Sequence, residues 1–233
     1  MLYHSPRVIL YNNQDGTMPH PYMADEQGLL CYAFMDDPTT LLNCYRFGIF
    51  PWDNVDKIGA FYFPTKRYVI EPRLIKIPKS IRSYFNNNRF TTTFDTQFET
   101  VISHCARAKR KDQASTWISD QFVKVYTKMF LQGHAHSVEV WQEGKLVGGL
   151  YGVAVGKVFT GESMFSLTSN ASRFAMISLA RFLESHQFSL IDCQVFNPYL
   201  ASFGGMEIPS PVFFEHMKNN FLEPDLAGPW TKR

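Results

Sequence analysis

The sequence HSVEVW at residues 136–141 decides the fold, because apolar and polar residues alternate there as they do along a β-strand. The dipeptide Glu143-Gly144 then provides a turn into a second strand at residues 145–153. Gly156 turns the chain again, into a third strand at residues 157–162. Strands joined by such short turns pair with each other, so this stretch predicts an antiparallel meander.

Predicted helices lie before and after this meander. Ser119-Asp120 is a typical helix start, apolar residues follow at helical spacing, and Gly133 suits the left-handed end of the helix. Asn170 is predicted to cap a long helix that runs to residue 184, and residues 189–196 follow as a mostly apolar strand. The order helix, three-strand meander, helix, strand predicts an α+β fold in which helices flank a mixed β-sheet.

The first part of the chain is less regular. Residues 1–47 are rich in turn signals such as Asp15-Gly16. We expect a small irregular N-terminal domain at residues 1–63 and the mixed-sheet domain at residues 64–233. The short elements predicted here are a helix at 38–45, strands at 60–63 and 68–70, and a helix at 79–86.

Composition limits the class of protein. The 233 residues are 45% hydrophobic and 19% charged, which is typical of an ordered globular chain. We find no apolar stretch near the roughly 20 residues of a membrane span, and no signal-peptide pattern at the start. The four cysteines are scattered, without a CxxC pair. We therefore expect a reduced, cytoplasmic protein with no structural zinc and no membrane partner.

The positive charge is concentrated in one part of the sequence. Residues 57–111 hold twelve basic and three acidic residues, a net charge of +9, although the whole chain has a net charge of +2. Such an excess suits a surface that binds a polyanion such as nucleic acid; a solvated charge run is the alternative. The candidate contacts are Lys66, Arg67, Lys76, Lys79, Arg82, Lys109 and Arg110.

Asp192 and Gln194 are the first candidates for chemistry. Residues two apart on a strand point to the same face, so a carboxylate and an amide would lie side by side in apolar surroundings. A buried structural hydrogen-bond pair is the alternative to a functional pair, because unpaired polar groups are costly in such surroundings.

Glu162 is the second candidate, since it ends a largely apolar strand and would need a donor or cationic partner if buried. Met164 would share its face and could line an adaptable pocket, although ordinary core packing is the alternative. His134 and His136 form an HxH pair without a recognisable third ligand, so we predict no metal site.

Four short strings resemble the leucyl/phenylalanyl-tRNA–protein transferases, in that family's order and spacing. They are Gly48-Ile49-Phe50-Pro51-Trp52, GHAHSVEVW at residues 133–141, Gly161-Glu162-Ser163-Met164-Phe165 and Ile191-Asp192-Cys193-Gln194. The order helix, meander, helix, strand also resembles the core of the GNAT superfamily, which implies a GNAT-like domain. GNAT acetyltransferases carry a glycine-rich pyrophosphate loop after the meander, but residues 165–172 contain no glycine, which disfavours acetyl-CoA.

The resemblance to the transferases implies a reaction. Leucine or phenylalanine, with methionine as a further candidate, would pass from aminoacyl-tRNA to the α-amine of proteins with N-terminal arginine or lysine. The amine would attack the ester directly, without a cofactor or metal, and the products would enter N-end-rule degradation. We expect a monomer, because the tRNA substrate is itself large.

Particular residues take roles through the same resemblance. Gln194 would accept a hydrogen bond from the attacking amine, and Asp192 would polarise it. Glu162 would bind the α-ammonium group of the donor. The remaining matches are pocket residues (Leu150, Phe159, Met164 and Ile191) and tryptophans that would stack on the terminal adenosine (Trp52 and Trp117). Core packing is the alternative for Trp52.

The sequence departs from the family at several positions. Tyr199 stands where a histidine is familiar, Ser210 replaces a usual basic residue, and Leu150 replaces a methionine. Acceptor preference is therefore open. The rival hypotheses are a binding protein that holds aminoacyl-tRNA without transfer, and a GNAT acyltransferase that uses a thioester.

Overall fold

The computed structural model describes residues 10–12, 17–108 and 118–232. These residues form two β-sheets with helices packed on them. Trp117, Lys109 and Arg110 lie outside the described residues. In the described part of the chain, no helix is long and apolar enough to cross a membrane.

The smaller sheet has four strands and comes from the first part of the chain. Its strand order is β1-β2-β4-β3, with β1 parallel to β2 and the other pairs antiparallel. Helix α1, Pro38–Arg46, connects β2 to β3, and the Asp37 carboxylate caps it by accepting from two backbone N–H groups. The strands are β1 Leu10–Tyr11, β2 Leu29–Phe34, β3 Phe50–Val55 and β4 Ile58–Tyr62.

The larger sheet has seven strands in the order β11-β5-β10-β9-β8-β7-β6. Strands β9 and β10 are parallel, whereas the other neighbours are antiparallel. The predicted meander is confirmed as β7, β8 and β9. The strands are β5 Lys66–Ile70, β6 Thr91–Phe94, β7 Ala135–Gln142, β8 Lys145–Val155, β9 Val158–Ser166, β10 Leu190–Asp192 and β11 Met206–Pro209.

Helices cover both faces of the larger sheet, so the predicted α+β class is confirmed. One apolar core holds side chains from α1, α3, α4 and α7, and the other holds those from α5. Alternating residues of β8 point into the two cores. Tyr151 and Val153 pack in the first core, and Leu150 and Ala154 pack in the second. The remaining helices are α2 Lys79–Asn86, α3 Phe98–Arg107, α4 Asp120–Leu131, α5 Ala171–Ser185, α6 Pro198–Ala201 and α7 Ser210–Asn220.

The helix boundaries follow the sequence signals closely. Ser119 Oγ accepts from the backbone N–H of Phe122 at 3.4 Å, and Gly133 has φ +81°, as predicted. Asn170 does not cap α5 through its side chain. It has φ +70° instead, and its amide nitrogen donates to the Tyr84 hydroxyl at 3.3 Å. The predicted cap chemistry at Asn170 is therefore wrong, although the helix begins where expected.

The two sheets share an apolar core. Leu30 and Phe61 of the smaller sheet belong to the same cluster of buried side chains as Val153 and Met217. Strand β4 ends at Tyr62 and β5 begins at Lys66, close to the predicted division between residues 63 and 64. The division into two domains stays a prediction, because packing is continuous across it.

Candidate active site

A cavity opens where two parallel strands separate. Residues Leu190, Ile191 and Asp192 of β10 pair with Val158, Phe159 and Thr160 of β9. Strand β9 continues to Ser166, whereas β10 ends at Asp192. The space between them is a cavity of about 660 Å³. The predicted site residues in its lining are Trp52, Leu150, Phe159, Glu162, Met164, Ile191 and Gln194.

Gln194 reaches the cavity from a turn rather than from a strand. It has φ +64°, a left-handed conformation that is uncommon outside glycine. Its amide nitrogen Nε2 donates to Glu162 Oε1 at 3.1 Å. The prediction that Asp192 and Gln194 share a strand face is wrong, because the strand ends at Asp192. The two residues are joined instead by the Gln194 backbone N–H, which donates to Asp192 Oδ1 at 2.9 Å.

Glu162 forms the polar end of the cavity. It is the additional residue of a β-bulge, since its neighbours Gly161 and Ser163 pair with the consecutive residues Gly152 and Tyr151. The bulge also breaks the alternation that would have placed Met164 on the same face. Met164 packs against the core that contains α5, on the other side of the sheet from the core that Tyr126 occupies.

Two tyrosines bind the Glu162 carboxylate. The Tyr45 hydroxyl on α1 donates to Oε1 at 2.7 Å, and the Tyr126 hydroxyl on α4 donates to Oε2 at 3.1 Å. The two hydroxyl groups also contact each other. Sequence reasoning missed both residues, because tyrosine at an apolar helix position looks like ordinary core. One signal for them was available in the sequence: a buried carboxylate at Glu162 needs hydrogen-bond donors, and a tyrosine hydroxyl group is such a donor.

Burial controls the ionisation of this cluster. Glu162 is 8% exposed, and loss of solvent raises its pKa from 4.5 to about 8. The hydrogen bonds from Tyr45 and Tyr126 oppose that effect, because they stabilise the carboxylate. Burial is the main cause that raises the pKa of both tyrosines well above 10, and the nearby Glu162 charge adds to it. Their hydroxyl groups therefore remain donors. The site thus presents a carboxyl group that a bound cationic ligand would draw into its charged form.

Asp192 lies beneath the cavity and not in its wall. Its side chain is 1% exposed, and both oxygens bind the Arg67 guanidinium, with Nε at 2.7 Å and Nη2 at 2.6 Å. Arg67 is equally buried, with Phe50 and Phe213 rings on its guanidinium at 4.6 and 4.5 Å. Its predicted role as a surface contact for tRNA is therefore wrong, because its charge cannot reach a phosphate.

The apolar wall of the cavity combines predicted and unpredicted residues. Phe159 and Met164 of β9 contribute to it, as do Leu150 of β8 and Ile191 of β10. Met176 and Leu179 of α5 also line it, and neither belongs to the sequence motifs. Such a wall suits a branched aliphatic or aromatic side chain.

The rim of the cavity carries a partly exposed tryptophan. Trp52 is 38% exposed and lies edge-on to the Tyr62 ring at a centroid distance of 5.7 Å. Tyr199 also lines the cavity, and its hydroxyl lies 2.7 Å from Ser172 Oγ. The remaining predicted tRNA contacts in the described residues are exposed: Lys66, Lys76, Lys79 and Arg82.

The HxH pair does not enter the cavity. His136 is buried, stacks on Trp230 at a centroid distance of 3.7 Å, and shares a 2.8 Å hydrogen bond between its Nδ1 and Asp95. Asp95 also accepts from the backbone N–H of Trp230. This histidine thus anchors the segment that follows α7.

The fold and the site together define an α+β protein whose apolar cavity ends on a hydrogen-bonded carboxylate and amide. The family model for leucyl/phenylalanyl-tRNA protein transferase matches residues 69–218. The chain is 41% identical over 214 residues to the leucyl/phenylalanyl-tRNA–protein transferase of Thermodesulfovibrio yellowstonii, covering 92% of this chain and 87% of that protein. It is 42% identical over 209 residues to the protein of the same name from Flavobacterium johnsoniae, covering 90% and 99%. The chain therefore belongs to the leucyl/phenylalanyl-tRNA–protein transferase family of aminoacyltransferases, as its sequence motifs predicted.

The solved structures that resemble the chain have low TM-scores and low sequence identity. They include an aminoglycoside acetyltransferase from a soil metagenomic sample, with 15% identity, a TM-score of 0.37, and coverage of 51% of this chain and 86% of that one. The L-PGS from Bacillus licheniformis gives 10% identity, a TM-score of 0.39, and coverage of 72% and 54%. Similarities at this level carry no weight for function.

Proposed function

We propose that this protein transfers leucine or phenylalanine from aminoacyl-tRNA to the α-amine of proteins whose N-terminal residue is arginine or lysine. Methionine is a third candidate donor, because the apolar wall would hold its unbranched side chain equally well. The observation that carries the proposal is the 3.1 Å hydrogen bond from Gln194 Nε2 to Glu162 Oε1 at the polar end of an apolar cavity.

The direction of that hydrogen bond supports the role proposed for Gln194. Its amide nitrogen donates to Glu162, so the amide oxygen is the end that can accept an N–H from the attacking amine. A neutral amide is a weak base, so we assign Gln194 mainly to orienting the amine. In the reaction, the amine nitrogen bonds to the ester carbonyl carbon, the ester C–O bond breaks, and the terminal ribose hydroxyl of the tRNA leaves with a proton.

Glu162 is assigned to the donor amino acid. Its carboxylate is buried and its hydrogen bonds come from neutral hydroxyl and amide groups. The α-ammonium group of an aminoacyl ester would add the missing positive charge while its side chain enters the apolar wall. This arrangement would fix the donor carbonyl beside Gln194.

The tRNA is assigned to the rim and the exposed basic residues. Trp52 offers an aromatic face on which a terminal adenine could stack, worth about 1–3 kcal/mol per base. Lys66, Lys76, Lys79 and Arg82 are exposed and supply positive charge for the backbone phosphates. The proposed enzyme is a monomer that acts in the cytoplasm. Its products would there enter N-end-rule degradation.

Transfer of radiolabelled leucine or phenylalanine from charged tRNA to a peptide beginning with arginine tests the proposal. A peptide beginning with alanine is the control acceptor. We expect label on the arginine peptide, lost in Gln194→Ala and Glu162→Ala. Gln187→Ala is a matched control, because Gln187 also has a left-handed backbone, φ +61°, but is exposed outside the cavity. Charged tRNA that binds without labelling either peptide would contradict transfer and indicate a binding protein.

A further inference from the structure

A buried ion pair lies directly beneath Gln194. Arg67 binds both oxygens of Asp192 through Nε and Nη2, and neither side chain is more than 1% exposed. Asp192 Oδ2 also lies 3.4 Å from Thr160 Oγ1 on the neighbouring strand β9. Asp192 does not line the cavity, so it reaches the reacting groups through another residue.

The contact that reaches the cavity is made by the backbone of Gln194. Its N–H donates to Asp192 Oδ1 at 2.9 Å, at the first turn after β10. In this turn Gln194 takes φ +64°, an unfavourable conformation for a residue with a side chain. A strong, charge-assisted hydrogen bond to the N–H favours this conformation over an extended continuation of the strand.

The guanidinium itself is held by both parts of the fold. The ring of Phe50, on strand β3 of the smaller sheet, lies 4.6 Å from Arg67 Cζ. The ring of Phe213, on helix α7, lies 4.5 Å from the same atom. A planar cation between two rings, bidentate on a carboxylate, has little freedom to turn. The position of Asp192 is therefore set by elements distant from it in sequence.

We infer that Arg67 is a positioning residue for the transfer reaction: it fixes Asp192, which holds the Gln194 backbone in the turn that aims the amide at Glu162. This inference rests on the proposed function and deepens it. It also assigns Asp192 to positioning, since its oxygens bind protein groups below the cavity. Buried ion pairs commonly stabilise a fold no more than apolar side chains of similar size, which favours a role in orientation here.

The experiment removes the ion pair as a unit. Arg67→Met alone would leave a buried carboxylate without a partner, so it is combined with Asp192→Leu, which replaces both charges by apolar groups. We measure the melting temperature, the affinity for Phe-tRNA and the single-turnover rate of transfer. The double variant is expected to keep affinity within about threefold and to lose about as much in rate as Gln194→Ala does, as expected when orientation is lost.

Gln194→Ala in both backgrounds separates positioning from simple stability. In the wild type this substitution should slow transfer strongly, whereas in the double variant it should cost less than about twofold, because the amide is already misdirected. A double variant with the wild-type rate, or an equal loss from Gln194→Ala in both backgrounds, would overturn the inference. Arg67→Lys serves as a second variant if the double variant folds poorly. Lysine keeps the positive charge but cannot make the two-point contact with Asp192, so this variant should lower the rate more than the affinity.

A readout independent of transfer distinguishes this inference from the proposed function. The three-bond coupling between HN and Hα reports backbone φ at Gln194, and Gln187, with φ +61°, is an internal control in the same spectrum. In the double variant, Gln194 should lose its left-handed value while Gln187 keeps it. An unchanged Gln194 coupling overturns the inference. A wild type that transfers nothing contradicts the proposed function whatever the coupling shows.

Discussion

Glu162 combines two conditions that oppose each other. It is buried, which favours the protonated acid, yet it accepts hydrogen bonds from Tyr45, Tyr126 and Gln194, which favour the carboxylate. The balance raises its pKa to about 8. A carboxyl group held near its ionisation point can be drawn into the charged form by a bound ammonium group, which gives the site selectivity for an α-amino donor.

The first prediction concerns stability and pH. The folded pKa of Glu162, about 8, lies above its ordinary value of 4.5, so between these values the folded state keeps a proton that the unfolded state has released. Raising the pH through this window therefore destabilises the wild type, on the order of 1 kcal/mol per pH unit. Glu162→Gln removes this contribution. Urea unfolding at pH 5, 6, 7 and 8 should show the free energy of unfolding of the wild type falling relative to the variant. Parallel pH profiles would contradict the assignment, and the exposed Glu184→Gln is the control.

At the residue scale, the sequence singled out Glu162 and Gln194, which line the cavity, but not the side chains that hold them in place. Glu162 and Gln194 were found because each carries a polar group beside apolar neighbours in a family motif. Tyr45 and Tyr126 were missed because they lie on helices that are distant from Glu162 in sequence. Only the folded structure shows that their hydroxyl groups donate to its carboxyl group. Arg67 was assigned to the surface, since a local charge count contains no information about burial.

At the scale of elements, the cavity depends on the irregular end of the sheet. Strand β9 carries a bulge at Glu162, and β10 stops after three residues. Several regular elements, such as α2 and α4, were predictable from turns and capping residues, whereas α3 and α7 were not predicted. Strand β2 was not, because its sequence LLCYAF lacks alternation, and neither was the end of β10, because apolar Val195 and Phe196 continue the pattern of a buried strand.

The second prediction tests the close packing of β8 on β9. A Cβ atom at Gly152 would lie 2.2 Å from the Thr160 carbonyl oxygen and 2.5 Å from the Phe159 ring, so Gly152→Ala must displace strand β9. We expect it to lower the free energy of unfolding by at least about 1–3 kcal/mol, the usual cost of overpacking. At Gly161 the nearest atom to such a Cβ would be 3.8 Å away, so Gly161→Ala should change stability by less than about 0.5 kcal/mol. Equal denaturation curves for the two variants would contradict this packing.

At the scale of the whole molecule, the exposed basic residues and the cavity rim form the proposed tRNA surface. Lys66, Lys76, Lys79 and Arg82 lie in or between strand β5 and helix α2, on the larger domain proposed here. The concentration of charge in this stretch is read directly from residue type, whereas its role as a tRNA surface stays a proposal. The sequence could not show that Arg67 is buried while the neighbouring Lys66 is exposed. Successive residues of a strand point to opposite faces, and residue type does not say which face is covered.

The third prediction concerns salt. Replacing Lys76, Lys79 and Arg82 by glutamine should weaken binding of charged tRNA and flatten its dependence on salt, by about 0.7–0.9 in the log–log slope per lost phosphate contact. Replacing the exposed Lys124, Lys128 and Lys145 is the control, because these lie elsewhere in the chain. Equal slopes for the two triple variants would remove the first three residues from the tRNA surface.

The most direct test of the account compares chemistry with binding in one variant. Gln194 is assigned to orienting the attacking amine, whereas the donor is held by Glu162, the apolar wall and the tRNA contacts. Single-turnover transfer from saturating Phe-tRNA to an arginine peptide is measured for the wild type and Gln194→Ala, together with the dissociation constant for Phe-tRNA. We predict a rate loss of roughly 100-fold or more, within the range for lost orientation, and a change in affinity below about threefold. Equal losses in rate and affinity would contradict the role assigned to Gln194.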